Sequence, residues 1–335
     1  MNGFLDYVRS LPKAELHLHI EGTLEPAMLM NLAEKHQVNL PYLTAADVER
    51  AYNFEDLQSF LDLYYLGASV LIDEDDFYSL MIRYLERCRD EGIVHTEMMF
   101  DPQTHTERGI DFSVFMSGFG RAMEDAKRQW GQSSLLIMCF LRHLPEESAF
   151  ETLKAAEPFK SQISSVGLDS SELGHPPEKF ERVYAAAGKQ GYRLVAHAGE
   201  EGPTTYILEA LDRLKVERID HGVRCMEDAE LVGRLVKAQI PLTVCPLSNV
   251  RLCVFGTMAD HPIRHMLKRG LNVTVNSDDP PYFGGYLLDN FQALHRELGL
   301  TMEDARQLAI NSIRSSFIDE ASSAAWLDQL SVPTP

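Results

Sequence analysis

The sequence predicts an α/β fold, a (β/α)8 TIM barrel, and three observations predict it. Short β-branched and apolar runs alternate with longer amphipathic segments. Eight such runs can be counted. Several end in histidine, aspartate or glutamate, as strands do when they deliver chemistry at their C-terminal ends. Strand alternating with helix implies parallel pairing through right-handed crossovers, and eight units suggest closure. A chain of 335 residues fits one domain, 1–335, because α/β barrels reach this size.

In chain order the strands are expected at 14–19, 93–100, 135–141, 163–169, 192–198, 218–222, 240–246 and 272–278. Amphipathic segments at 111–130, 145–157, 178–190, 204–215, 227–238 and 262–270 separate them. One interval breaks the rhythm. More than seventy residues lie between the first two strands, with helical patterns near 25–37, 55–71 and 74–91. A helical insertion at about 24–91 sits over the C-terminal mouth and is expected to act as a lid. Its aromatic run Phe60-Leu61-Asp62-Leu63-Tyr64-Tyr65 either faces the mouth or packs the insert onto the barrel. Extra helices near 286–298, 302–314 and 318–329 follow the eighth strand, and the tail 331–335 reads as frayed.

The formal charge is −19, from 31 basic and 50 acidic residues. Such a surface repels phosphate backbones, so nucleic acid is excluded as a partner. No run of eighteen apolar residues predicts a membrane span, and residues 1–13 do not read as a signal peptide. The five cysteines are scattered and lack a CxxC pair, which reads as reduced thiols in a cytoplasmic protein. Nothing in the sequence sets an oligomeric state.

The chemistry gathers in four stretches: Glu15-Leu16-His17-Leu18-His19, His197-Ala198-Gly199-Glu200, Asp220-His221-Gly222 and Asn276-Ser277-Asp278-Asp279. Residues two apart in a strand share a face, so His17 and His19 are expected to enter the barrel side by side. With His197 and Asp278 they offer three nitrogens and one carboxylate, a set that suits Zn²⁺ with an open position for water. Glu200 can serve as general acid, or simply begin the following helix. His221 can orient hydroxide, take its proton, or be a core histidine. Asp278 and Asp279, in extended chain, point to different sides, so that one ligates metal and the other faces substrate; the alternative is an Asp- and Pro-rich turn closed by Pro280-Pro281. Gly199 is expected to let substrate approach the backbone. No lysine ends strand four, which favours one metal over two. No PCxxC follows His19-Ile20-Glu21 or His95-Thr96-Glu97, which excludes the cytidine-deaminase type of zinc site.

The string Pro12-Lys13-Ala14-Glu15-Leu16-His17-Leu18-His19 with Glu21-Gly22, then His197-Ala198-Gly199-Glu200, Ile219-Asp220-His221-Gly222 and Asn276-Ser277-Asp278-Asp279-Pro280, resembles the adenosine and adenine deaminases over nearly the whole chain. The resemblance implies a metal-dependent hydrolase barrel of the amidohydrolase superfamily. It implies one Zn²⁺ per chain and hydrolytic deamination at C6 of a small-molecule purine base. By motif, His17, His19, His197 and Asp278 hold the metal. Glu200 protonates N1, His221 orients the attacking hydroxide, and Asp279 hydrogen-bonds the hydroxide and the N7 side of the ring. One departure bears on substrate. Where adenosine deaminases carry a glycine near the purine N3, this chain has Glu172, within Asp169-Ser170-Ser171-Glu172-Leu173-Gly174-His175. A carboxylate there is expected to accept from a free-base ring nitrogen and fill the room of a ribose. That segment resembles the bacterial and fungal adenine deaminases and points to adenine conversion to hypoxanthine in purine salvage and nitrogen catabolism. Adenosine and N6-substituted adenines are the competing substrates. His105, Arg142 and His143 lie near strand ends and are expected in surface or packing roles.

Overall fold

The computed structural model describes residues 2–331. Eight parallel strands follow one another around the sheet in chain order: β1 (Lys13–Glu15), β2 (Ile93–Phe100), β3 (Ser133–Leu141), β4 (Ile163–Asp169), β5 (Arg193–Ala198), β6 (Arg218–His221), β7 (Pro241–Val244) and β8 (Asn272–Val275). The seam between β8 and β1 is closed just beyond their regular ends. His19 donates its backbone N–H to the Asp278 carbonyl at 3.1 Å, and Asp278 donates to the His17 carbonyl at 3.2 Å. The barrel is therefore zipped shut by the residues expected to carry its chemistry.

Three strands stop well short of expectation, β1 and β8 because their last residues leave the ladder for this seam. β1 ends at Glu15 rather than His19, because Leu16 donates to the Asn276 side chain instead of a neighbouring strand. β7 ends at Val244, and Pro246 starts a short helix, Pro246–Arg251. β8 ends at Val275, and Asp278 takes a left-handed conformation at φ 65°. Asp278 and Asp279 thus do not lie in extended chain, and a bend, not strand alternation, separates their side chains. Pro280 and Pro281 do not merely end a strand; they occupy the first turn of a helix, Pro280–Phe283, where a missing N–H costs nothing. The expected segment 204–215 is Thr204–Glu209 running into a π-helical turn, Ala210–Leu214. Helices at Asn2–Ser10, Ala45–Ala51 and Pro102–Thr106 were not anticipated. Of the tail, residues 332–335 lie outside the described residues.

The insertion folds as Pro26–His36, Ala45–Ala51, Leu57–Ala68 and Glu74–Glu91. Its helices are sharply bounded. Asp56 and Asp73 each cap a first turn through a reciprocal bond with the third residue, and Gly92 closes the last helix in the left-handed region before β2 begins.

Period-two alternation sorts the buried residues of the strands. Met98, Phe100, Leu136 and Met138 pack outward against helices, while Met99, Ile137, Cys139 and Val195 form a separate cluster inside the barrel. Below that cluster, a fully buried Arg218 donates to Glu97 at 2.7 Å and stacks over Phe317. Above it sit the histidines and carboxylates.

Candidate active site

His17 and His19 each bring Nε2 close to Asp278 Oδ1, and His19 Nε2 also lies beside His197 Nε2. His17 Nδ1 faces the Thr243 carbonyl at 3.2 Å and Thr243 Oγ1 at 3.0 Å. A carbonyl only accepts, so His17 carries its proton on Nδ1 and its Nε2 lone pair is free. That Nε2 is buried with no hydrogen-bond partner, 3.4 Å from Asp278 Oδ1. Carboxylates face the other two Nδ1 atoms: Asp169 at 3.5 Å from His19 and Asp220 at 3.6 Å from His197. The Nε2 atoms of His19 and His197 then confront each other at 3.3 Å, and His19 Nε2 stands 3.6 Å from Asp278 Oδ1. Lone pairs converging on a carboxylate oxygen, each ring oriented from behind, are the arrangement a bound cation requires. The donor set fits a metal, and N3O chemistry suits zinc.

The four-residue group whose ligand-type atoms all lie within 4.8 Å of one another is His17, His197, His221 and Asp278, with His221 in the place expected of His19; His19 groups with Asp278 and Asp279. Hydrogen bonding separates His221 from the rest. The Ile263 N–H donates to His261 Nδ1 at 3.2 Å, so His261 carries its proton on Nε2. That Nε2 lies 3.2 Å from Asn249 Oδ1, which turns Asn249 Nδ2 toward His221 Nδ1 at 3.3 Å. His221 accepts there, so its own proton is on Nε2, aimed at Glu200 Oε1 (3.6 Å) and Asp278 Oδ2 (3.8 Å). A nitrogen bearing a proton is a donor, not a ligand. Burial lowers the pKa of both His221 and His261 to about 3, so the relay is uncharged at neutral pH.

Glu200 and Asp279 are held in the opposite sense. Burial first, then the adjacent Asp278 charge, pushes both carboxyls well above the usual carboxylate range. Burial also opposes ionisation of Asp278, while the imidazoles of His17, His221 and His19 around it draw its pKa well below the ordinary value whenever they carry a second proton. Asp278 is thus shifted in the opposite direction from the two carboxyls on either side of it. Asp279 owes its position to Gly22, where an added Cβ meets Asp279 Oδ1 at 1.7 Å.

These groups open into a cavity at the barrel mouth. Its roof is the helix Leu57–Ala68, through Leu57, Phe60, Leu61, Tyr64 and Tyr65; Leu252 and Phe283 complete the apolar wall. Both sequence readings of the aromatic run hold, since Phe60 lines the cavity and also packs on Tyr282 and Phe283.

Two expectations need correction. Glu172 does not face the cavity. Its carboxylate, 1% exposed, lies beneath the loop after β5 and accepts from the backbone N–H groups of Gly199, Glu200, Glu201 and Gly202. Gly199 is not a place of substrate approach either. Its φ is 72°, its N–H is taken by Glu172, its carbonyl accepts from Arg224 N–H, and a Cβ would meet Ile207 at 2.4 Å. His105, Arg142 and His143 serve neighbours: His105 binds Glu21 at 2.8 Å, Arg142 donates to the carbonyls of His175 and His197, and His143 bonds Ser170. The residues missed are Asp169, Asp220, Thr243, Asn249 and His261. Asp169 and Asp220 stand within the quoted strand-end stretches without a role assigned to them, and the structure makes Asp220 the register partner of His197.

A family model described as adenosine deaminase matches residues 12–333. An adenine deaminase of Acinetobacter baylyi is 56% identical over 325 residues, covering 97% of this chain and 98% of that protein. The solved structure of an adenine deaminase from Arthrobacter aurescens is similar with a TM-score of 0.94 at 52% identity, over 96% of this chain and 98% of that one. An amidohydrolase from Burkholderia ambifaria, solved with bound zinc, gives 0.88 at 25% identity over 97% and 91%. With a family match from before the first histidine pair to beyond the last barrel helix, and a barrel of the same amidohydrolase form, this chain belongs to the adenosine deaminase family.

Proposed function

We propose that this protein deaminates adenine, adding water at C6 and releasing hypoxanthine and ammonia, with one zinc ion held by His17, His19, His197 and Asp278. The observation that carries the reading is the pairing of this donor set with a buried Glu200, its carboxyl pKa raised, in a cavity with an apolar wall. Zinc, when bound, lowers the pKa of water toward ~7 and so supplies hydroxide at neutral pH. Glu200 delivers a proton to N1 of the ring as C6 is attacked, which the raised pKa of its carboxyl allows. The His221 Nε2–H, fixed by Asn249, donates toward the attacking oxygen. The proton of the new C6–OH then passes, by way of the Glu200 carboxylate left after N1 is protonated, to the exocyclic nitrogen, so that the C6–N bond breaks, ammonia leaves and the C6 carbonyl forms. Asp279 hydrogen-bonds on the N7 side. Leu57, Phe60, Leu61 and Phe283 take the flat faces of the purine and exclude bulk water.

The 56% identity to an adenine deaminase supports the free base over a nucleoside. The free cysteines, four buried and only Cys253 exposed, suit the cytoplasm. No helix among the described residues is long and apolar enough to cross a membrane.

Ammonia release from adenine, adenosine and N6-isopentenyladenine, side by side with a chelated control, tests the proposal. Turnover of adenine that is lost on chelation and far exceeds the other two is expected. A preference for adenosine or for the substituted base keeps the chemistry and removes adenine as the substrate. Turnover that survives full metal removal overturns the role given to zinc. Glu200→Gln is expected to retain zinc and lose about 10²–10⁴-fold in kcat.

A further inference from the structure

We propose that Glu172 is the positioning residue for Glu200. Its carboxylate is the template on which the loop 199–202 folds, and so aims the proton-donating side chain at the ring. The inference rests on the reading of Glu200 as proton donor.

Glu172 Oε1 accepts from Gly199 at 2.7 Å, and Oε2 accepts from Glu200, Glu201 and Gly202 at 3.1, 2.8 and 2.7 Å. Four consecutive N–H groups wrapped on one anion form a nest, here occupied by a side chain of the same protein. The second residue of the four joins two contacts of different purpose: the Glu200 N–H is tied to Glu172, while its Oε1 stands 3.6 Å from His221 Nε2. The carboxylate is desolvated, and the guanidinium of Arg142, itself buried, offsets its charge. Arg142 binds the His197 carbonyl at 2.8 Å from the other side. The turn from His197 to Gly202 is therefore clamped at both ends by groups that touch neither the cavity nor the histidine Nε2 atoms.

Only a carboxylate satisfies this nest. Both oxygens of Glu172 accept, so an amide in its place sets its NH2 against at least one N–H in either orientation. A shift of about 1 Å in the reacting group can cost ~10²-fold in rate. Glu172→Gln in the zinc-loaded protein is accordingly expected to lose ~10²-fold in kcat for adenine, with KM and zinc content little changed. Amide hydrogen exchange at 200–202 should rise. Sodium formate added to Glu172→Ala, where the nest is vacated, should restore kcat in a saturable way and slow exchange again.

Wild-type kcat in Glu172→Gln, or a raised KM with kcat kept, overturns the proposal; the second result puts Glu172 at the substrate instead. Unchanged exchange at 200–202 with no response to formate overturns it as well. Because Gln is isosteric, the test stands even where Ala fails to fold. Glu200→Gln run in parallel separates the two readings. Turnover kept in Glu200→Gln removes the role of Glu200, and with it any positioning role. Turnover lost there but kept in Glu172→Gln overturns the positioning role alone.

Discussion

His221 shows how much one backbone N–H can decide. Ile263 donates to His261, and through Asn249 that single bond sets which nitrogen of a ring two steps away carries the proton. Asn249→Asp tests the relay. An aspartate accepts on both oxygens, so it draws the His221 proton to Nδ1 and leaves Nε2 bare. The expected outcome is a loss of roughly 10–100-fold in kcat, comparable to the loss of an orienting partner behind a metal-site histidine. A ¹⁵N spectrum of the imidazoles should show one tautomer inverted; an unchanged spectrum removes the relay as its cause. None of this is legible in sequence, because Asn249 and His261 lie in helix Pro246–Arg251 and the turn before Ile263–Lys268, with no spacing that ties them to His221. Glu172 is a different case. Its residue type is legible, but a carboxylate at a strand end reads the same whether it faces ligand or backbone, and only the four N–H groups above it settle which.

Among the elements, Leu57–Ala68 carries the specificity argument. Its boundaries follow from Asp56 and the reciprocal cap with Ser59, but its function comes from where the insertion folds back. Phe60 is both wall and packing residue, 4% exposed. Phe60→Ala is expected to cost roughly 3–5 kcal/mol of stability, as large aromatic truncations do, and to raise KM for adenine more than it lowers kcat. Thermal melts and steady-state kinetics check the two halves separately; an unchanged KM means that the roof does not touch the base. Strands β2 to β5 matched their predicted runs closely, since buried parallel strands are apolar along their length. β1 and β8 were overextended because their motif residues leave the ladder to form the seam.

For the whole molecule, the two ends of the barrel interior behave differently with pH. At the lower end, burial opposes ionisation of Glu97, but Arg218 outweighs it and brings the pKa to about 2 from the ordinary 4.5. The folded pKa lies below the unfolded one, so the unfolded chain binds more protons between those values and stability rises with pH there. This contribution is complete above about pH 4.5 and is lost as pH falls toward 2. Glu97→Gln leaves the buried Arg218 charge only Asp220, 3.9 Å away, as an ionic partner and should cost roughly 3–5 kcal/mol at neutral pH. The wild-type advantage in melting temperature should shrink on acidification below pH 4.5. An advantage that stays constant to low pH shows that the pair does not govern acid stability.

The sequence by itself determined the barrel, the order of its strands and the residue types that meet at its mouth. Hydrophobic periodicity fixes which segments are strands and which are helices, and motif residues at strand ends must face one end of a parallel barrel. The tertiary structure alone decided which of those residues touch one another. It set the tautomers of His17 and His221, the bend that separates Asp278 from Asp279, and the burial of Glu172 under the loop of Glu200. Each depends on groups brought together from distant parts of the chain, and hydrogen-bond direction is a property of those contacts rather than of any local run of residues.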